Sequence, residues 1–155
     1  MGYTAKNFGI FLSSDRCDHH DIVRQLRSIY AKGNMLIRRF NKCSDNVKSQ
    51  LFQSYCTNLY CCHLWSNYST SMIRKITVAY NNVYRFLFKI KGPCSMSQLF
   101  VQNNINPLKV LMRKAICSFR KRLLSSENTL ISVIINSAYF IYSSHLYKTW
   151  SAQVF

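Results

Sequence analysis

Two consecutive segments, VKSQLFQSYCTNLYCCHLW (residues 47–65) and STSMIRKITVAYNNVYRFLF (residues 69–88), decide how the chain folds. In the first, Val47, Leu51, Phe52, Tyr55, Cys56, Leu59 and Cys62 recur at steps of three and four, which at about 100° per residue places them on one side of a helix. The spacing predicts a single helix with that face buried. In the second, Ile73, Ile76, Ala79, Tyr80, Val83, Tyr84 and Leu87 make an apolar arc. Arg74, Lys75, Asn81, Asn82, Arg85 and Lys89 gather on the other side, with Val78 the one apolar residue among them. A basic, amide-bearing ridge on a packed helix points to a polyanionic partner.

The charge distribution extends this beyond one helix. Twenty-one Lys and Arg against five Asp and Glu give the 155 residues a formal net charge of +16, well beyond what solubility asks of a single small domain. Asp15, Asp18, Asp21 and Asp45 all precede Asn46, and the remaining acid is Glu127. Between Asn46 and Ser126 stand 12 basic residues and no acid, so that segment alone carries +12. Charge runs are common on solvated helix faces; an acid-free stretch of this length points to nucleic acid. Seven cysteines, an odd number with several on apolar helix faces, predict reduced buried thiols. The chain is therefore expected to be intracellular, nuclear or cytoplasmic, and not secreted.

Upstream, Phe8–Ser13 (FGIFLS) reads as one β-strand, which cannot satisfy its own backbone and needs a partner. Self-association through that strand is one route. Asp18 or Asp21 offers an N-cap for a helix whose apolar arc is Ile22, Leu26, Ile29, Tyr30, Gly33, Leu36, Ile37 and Phe40. The phase survives Gly33-Asn34, so this is one helix, and Gly33 lies where a neighbouring helix can come close. Ser44-Asp45 starts the next helix, and Gly92-Pro93 is expected to end the basic one. Asn106-Pro107 is a strong helix start. After it Leu108, Leu111, Met112, Ala115, Ile116, Phe119 and Leu123 mark a buried face, with Lys109, Arg113 and Arg120 on one flank and Lys114 and Lys121 on the other. The tail from Thr129 to Tyr147 has no formal charge, but Asn136, four serines and His145 interrupt it. It reads as a buried final helix, and a membrane partner is not expected.

Little in the chain supports catalysis. No Ser-His-acid set, phosphate-cradling glycine loop or paired carboxylates for two-metal phosphoryl transfer can be assembled from five acids and four glycines. Asp18-His19-His20-Asp21 reads as a solvated helix entrance, and Cys56, Cys61, Cys62 and His63 cannot aim four ligands at one point from a single helix. No metal or other cofactor is expected. Tyr55, Tyr60, Trp65, Tyr80, Tyr84 and Phe119 mostly occupy buried phases and read as core, not as base-stacking platforms.

The series DIVRQLRSIYAKGNMLIRRFNKCSDNVKSQLFQSYCTNLYCCHLW, ITVAYNNVYRFLF and CSMSQLFVQNNIN resembles the carboxy-terminal part of reverse transcriptases from non-LTR (LINE-like) retrotransposons. FGIFLSSD resembles the strand that follows the palm in that family, and SSHLYKTW its usual final segment. The resemblance covers nearly the whole chain, with VAYNN and GNMLIRRF its most specific blocks. It departs from the family in lacking fingers, palm and the catalytic aspartate pair. What the resemblance implies is a non-catalytic fragment comprising the thumb and the helices after it, with RNA, RNA/DNA hybrid or DNA held by backbone and shape contacts.

The expected fold is all-α, a bundle of about five helices with one short N-terminal strand. Residues 1–16 would be the strand remnant, 17–92 the thumb-like bundle and 93–155 a helical extension packed on it in one globular unit. Sequence-independent grip needs cations near phosphates and amides that reach a shallow groove. Arg74, Lys75, Asn81, Asn82, Arg85, Lys89, Lys109, Arg113, Arg120 and Lys121 are the expected nucleic-acid-binding residues. The competing readings are a small basic membrane-associated or adaptor protein and the product of a truncated, non-functional element.

Overall fold

The apolar patterning of the long segments dictates helices, and the computed structural model, which describes residues 4–7, 10–13, 18–65, 68–143 and 147, is helical. Its elements are β1 (Thr4–Asn7), β2 (Ile10–Ser13), α1 (His19–Arg39), α2 (Asp45–Cys56), a 3-10 turn at Cys62–Leu64, α3 (Thr70–Leu87), α4 (Met96–Gln102), α5 (Leu108–Leu124), α6 (Thr129–Asn136) and α7 (Ala138–Ser143). Seven α-helices are thus present among the described residues, where about five were expected. The described chain partitions into two compact units, Met1–Tyr60 with Asn67–Leu111, and Cys61–Ser66 with Met112–Phe155.

The strand expected at Phe8–Ser13 is described over Ile10–Ser13. There it pairs antiparallel with Thr4–Asn7, in a register that sets Thr4 against Ser13 and Asn7 against Ile10. Phe8 and Gly9 lie outside the described residues. The sequence hid the partner because TAKN has no apolar alternation.

In the first unit α1 runs unbroken through Gly33-Asn34, as its phase predicts. Asp18 stands at the N-cap, while Asp21 is buried one turn in and pairs with Arg24 at 2.7 Å. The buried stripe is Ile22, Gln25, Ile29, Gly33 and Leu36. Gln25 is a polar residue in that stripe, and its amide donates to the Tyr60 carbonyl at 3.0 Å, which removes the cost of burying it unpaired. Along this stripe α1 packs chiefly on α3. Gly33 is a point of close approach: a Cβ built there would lie 2.7 Å from Cγ2 of Val83 and nearer still to Cγ1.

The segment 47–65 is not one helix. α2 ends at Cys56, where the hydroxyl of Thr57 turns back to the Gln53 carbonyl, and Cys61 adopts a left-handed conformation (φ 60°) before the 3-10 turn. Thr and Asn at 57 and 58 offer the backbone these local alternatives to helix. The buried face also turns. Lys48, Ser49, Phe52 and Cys56 are inside, whereas Val47 and Tyr55 are exposed. Lys48 reaches out to the exposed Asp45 at 3.1 Å, so its stem covers core while its charge meets an acid.

On α3, Met72, Ile76, Ala79, Tyr80, Val83, Tyr84 and Leu87 are buried, close to the expected arc. Phe52 of α2 lies against Tyr80 and Tyr84, with ring centroids 5.0 and 5.2 Å apart, and Phe100 of α4 closes the group at 5.7 and 5.1 Å from the same two rings. The Tyr80 hydroxyl donates to the Asn106 carbonyl at 3.0 Å, so a buried phenol is satisfied where α5 begins. These contacts explain why α4 and the start of α5 belong with the first unit, although a boundary was expected after residue 92.

Lys89, not Gly92-Pro93, terminates α3. Phe88 is the C-cap, Lys89 is left-handed (φ 53°), and Ile90 N–H reaches the Arg85 carbonyl at 2.9 Å while Lys89 N–H reaches Phe86 at 3.2 Å, a Schellman closure. Asn104 closes α4 in the same way. A lysine in this conformation pays a steric cost that glycine avoids. Lys89→Gly is therefore expected to raise the unfolding free energy by about 1 kcal/mol in urea denaturation.

Burial pushes the Cys56 thiol from 9.0 up to about 11. The folded chain then holds this proton more tightly than the unfolded chain. The associated stability is intact below pH 9.0 and is lost as pH rises toward 11. The unfolding free energy measured in urea should fall over that window, by at most about 1.4 kcal/mol per pH unit for this group, and Cys56→Ala should flatten the fall.

The second unit is built on α5. Ile116 and Phe140 form its core with Phe119, Leu123 and Ile135 packed around them. The His63 ring lies 4.5 Å from that of Phe119, tilted by 39°, and burial together with the nearby Arg122 lowers its pKa. The tail is not one buried helix. Ser137 is extended, and its hydroxyl accepts the Phe140 N–H at 3.2 Å, which stops α6 and caps α7. α6 buries none of its residues: Leu130, Val133 and Ile134 are 72%, 69% and 57% exposed.

Candidate nucleic-acid interface

The outer surface of α3 follows from its inner one. With the arc from Met72 to Leu87 against the core, two neighbouring stripes face away from it. One is Arg74, Asn81 and Arg85; the other is Lys75, Asn82 and Phe86. Both step by seven and then four residues, so each begins with a cation and carries an amide two turns later. From Arg74 to Arg85 is about 16 Å along the axis, which matches about five nucleotide steps at 3.4 Å each.

Within these stripes the expected residues differ in what they can do. Arg74 and Lys75 are exposed and offer their charge to solvent. Asn81 and Asn82 are half-buried, placed at the shoulders of the helix. Arg85 is half-buried because its guanidinium donates to the Gly92 carbonyl, tying down the turn that follows the helix. Lys89 is exposed in that turn, past the helix end, so it is not part of the helical ridge. The tethered turn also presents Lys91, exposed and absent from the expected set. Val78, at 46% exposed, is not the one apolar residue on this side; Phe86 is exposed by 61%. It was legible as the residue four after Asn82, outside the apolar arc.

The cations expected on α5 are divided. Lys109 is exposed in the first turn, with the first unit. In the second unit Lys114, Cys117, Ser118, Lys121 and Arg122 line a shallow depression of about 370 Å³. Their spacing places them opposite the buried Met112 and Ile116. Arg113 and Arg120 instead flank the core side, and Arg120 is half-buried. Of the four expected α5 residues, then, only Lys121 lies in this basic depression, and its companions there are Lys114 and Arg122.

A cleft of the first unit has a different chemistry. It holds about 460 Å³ between α2 and the end of α4, and Asn46, Gln50, Gln53, Gln102, Asn103 and Asn104 supply most of its wall. No lysine or arginine is among its lining residues. Among the aromatics expected in the core, Trp65, Tyr80 and Tyr84 are buried, but Tyr55 and Tyr60 are exposed, the latter with the Arg24 guanidinium 5.8 Å above its ring. Among the described residues no group of three or more His, Cys, Asp or Glu is placed to hold a metal ion, and no helix is long and apolar enough to cross a membrane. No family model matches the chain, and comparison with curated proteins and with solved structures found no match.

Proposed function

We propose that this chain is a non-catalytic part of a retrotransposon reverse transcriptase, equivalent to its thumb and the helices after it. In this reading it binds template-primer RNA/DNA duplex without sequence preference, in the nucleus or cytoplasm. The observation that carries the binding is the exposed pair Arg74 and Lys75 at the head of two amide-bearing stripes, within a segment that holds no acid from residue 46 to 126. Phosphate contacts supply sequence-independent affinity, and amides can reach groove edges and 2′-hydroxyls. The polymerase lineage rests on the resemblance of the sequence blocks.

Titration of a labelled RNA/DNA hybrid across a salt series tests it. Each neutralised phosphate adds roughly 0.7–0.9 to the slope of log affinity against log salt, so a slope of about 3 or more is expected. A slope below about 1, with equal binding to hybrid and double-stranded DNA, would remove the reading. A membrane-surface or adaptor role is the second reading, and α6 favours it: three large aliphatic side chains stand exposed in a unit that also carries the Lys114, Lys121 and Arg122 depression. Basic groups beside insertable apolar ones suit acidic lipid headgroups. Anionic vesicles in the same titration decide between the two.

A further inference from the structure

Phe86 gives the α3 surface a property that cations and amides do not. A phenylalanine exposed by 61% on a helix keeps most of its ring in water, while every other aromatic of α3, Tyr80 and Tyr84, is buried. Single exposed apolar residues are ordinary on protein surfaces. Phe86 is not isolated in chemistry, however. It continues the stripe of Lys75 and Asn82, is followed by the exposed Lys89 and Lys91, and stands beside Arg85, whose bond to the Gly92 carbonyl holds that basic turn against the helix end. An exposed flat ring on a helix that also carries exposed cations is the composition that grips single-stranded nucleic acid, where a base offers a free face for stacking and the backbone meets positive charge. Bases inside a duplex have both faces occupied by their neighbours. Entering that stack would carry a free-energy cost of unstacking, which an unpaired base does not require, so the ring favours an unpaired base.

We propose that Phe86 is the stacking residue of the α3 surface, and that the ligand selected there is a strand with unpaired bases, such as single-stranded RNA or the overhang beside a duplex. This rests on the reading that α3 binds nucleic acid and narrows it. The occupant is a nucleobase, because the ring offers a stacking face and the exposed Lys89 and Lys91 that follow it complement the phosphates of the same strand.

The test compares a short single-stranded RNA with a blunt RNA/DNA hybrid of the same length, using the full chain and fluorescence anisotropy. Phe86→Ala is expected to weaken single-strand binding about 10-fold, within the range of one base–aromatic stack, while blunt-hybrid affinity stays within about twofold and the salt slope is unchanged. Phe86→Trp should restore single-strand binding, and Phe86→Leu, apolar but without a π face, should behave like the alanine variant. Because the side chain is mostly in water, none of these changes should alter the helical circular dichroism. Unchanged single-strand affinity in Phe86→Ala, equal losses on both ligands, or wild-type binding by Phe86→Leu would each overturn the assignment. The charge variant Arg74→Gln/Lys75→Gln separates the two levels. If it lowers binding while Phe86→Ala does not, stacking fails and the α3 reading stands; if it changes nothing, the α3 reading fails and stacking with it.

Discussion

Gly33→Ala is expected to destabilise the first unit by about 2 kcal/mol, although alanine is the better helix former. Propensity alone favours the substitution by about 1 kcal/mol at an interior helix position. The added methyl, however, would lie 2.7 Å from Cγ2 of Val83 and closer to Cγ1. Val83 is 1% exposed and branched at Cβ, so it has no free rotamer into which to withdraw. Overpacking of this kind costs about 3 kcal/mol at the upper end of its usual range, which outweighs the propensity gain. Urea denaturation measures the difference, and a double-mutant cycle with Val83→Ala localises it. Truncating Val83 opens space for the new methyl, so the double variant should be more stable than the sum of the single changes by about 2 kcal/mol. A neutral or stabilising Gly33→Ala would mean that α1 and α3 do not approach each other as described. The result bears on function, because the packing of α1 on α3 holds both outer stripes of α3 away from the core.

The second large effect concerns binding. Arg74→Gln with Lys75→Gln is expected to weaken hybrid binding about 60-fold at 0.1 M salt and to lower the salt slope by about 1.8. Both figures follow from the loss of two phosphate contacts at about 0.9 each. Both side chains are exposed on a helix whose buried face they do not touch, so stability should move by no more than about 0.5 kcal/mol. Glutamine keeps helix propensity close to that of the residues replaced. The same paired substitution at Lys114 and Lys121 is the comparison in the second unit, where the basic depression of α5 lies. An unchanged slope for the α3 pair alongside a reduced slope for the α5 pair would move the site to α5. No change in either would leave the charge of the chain without a binding role.

The sequence by itself determined the helical class, the unbroken α1 through Gly33-Asn34, the buried arc of α3 and the basic character of its outer side. These are periodic or local properties, set by which residues recur every three to four positions and by the absence of acids. It also marked Gly33 as a contact point, because a missing side chain inside an apolar arc has few other uses. Several features needed the folded chain. α2 stops at Cys56 and buries Lys48 and Ser49 rather than Val47 and Tyr55, since which side of a short helix is covered depends on the neighbours that arrive from α1 and α3. Lys89 ends α3 because a six-to-one backbone closure formed there, a geometry that Gly92-Pro93 three residues later obscured. Ser137 divides the uncharged tail where its hydroxyl accepts the Phe140 N–H, and α6 before it buries none of its residues. The candidate surface shows the same division. Periodicity placed Arg74, Lys75 and Phe86 outside the apolar arc and set Lys114 beside Lys121, but only the folded chain decided that Arg85 donates to the Gly92 carbonyl and that Arg122 joins Lys114 and Lys121 at one depression. Side-chain partners of this kind depend on how the backbone turns once a helix ends and on which neighbours then come within reach, and the spacing of residues along one helix carries no record of either.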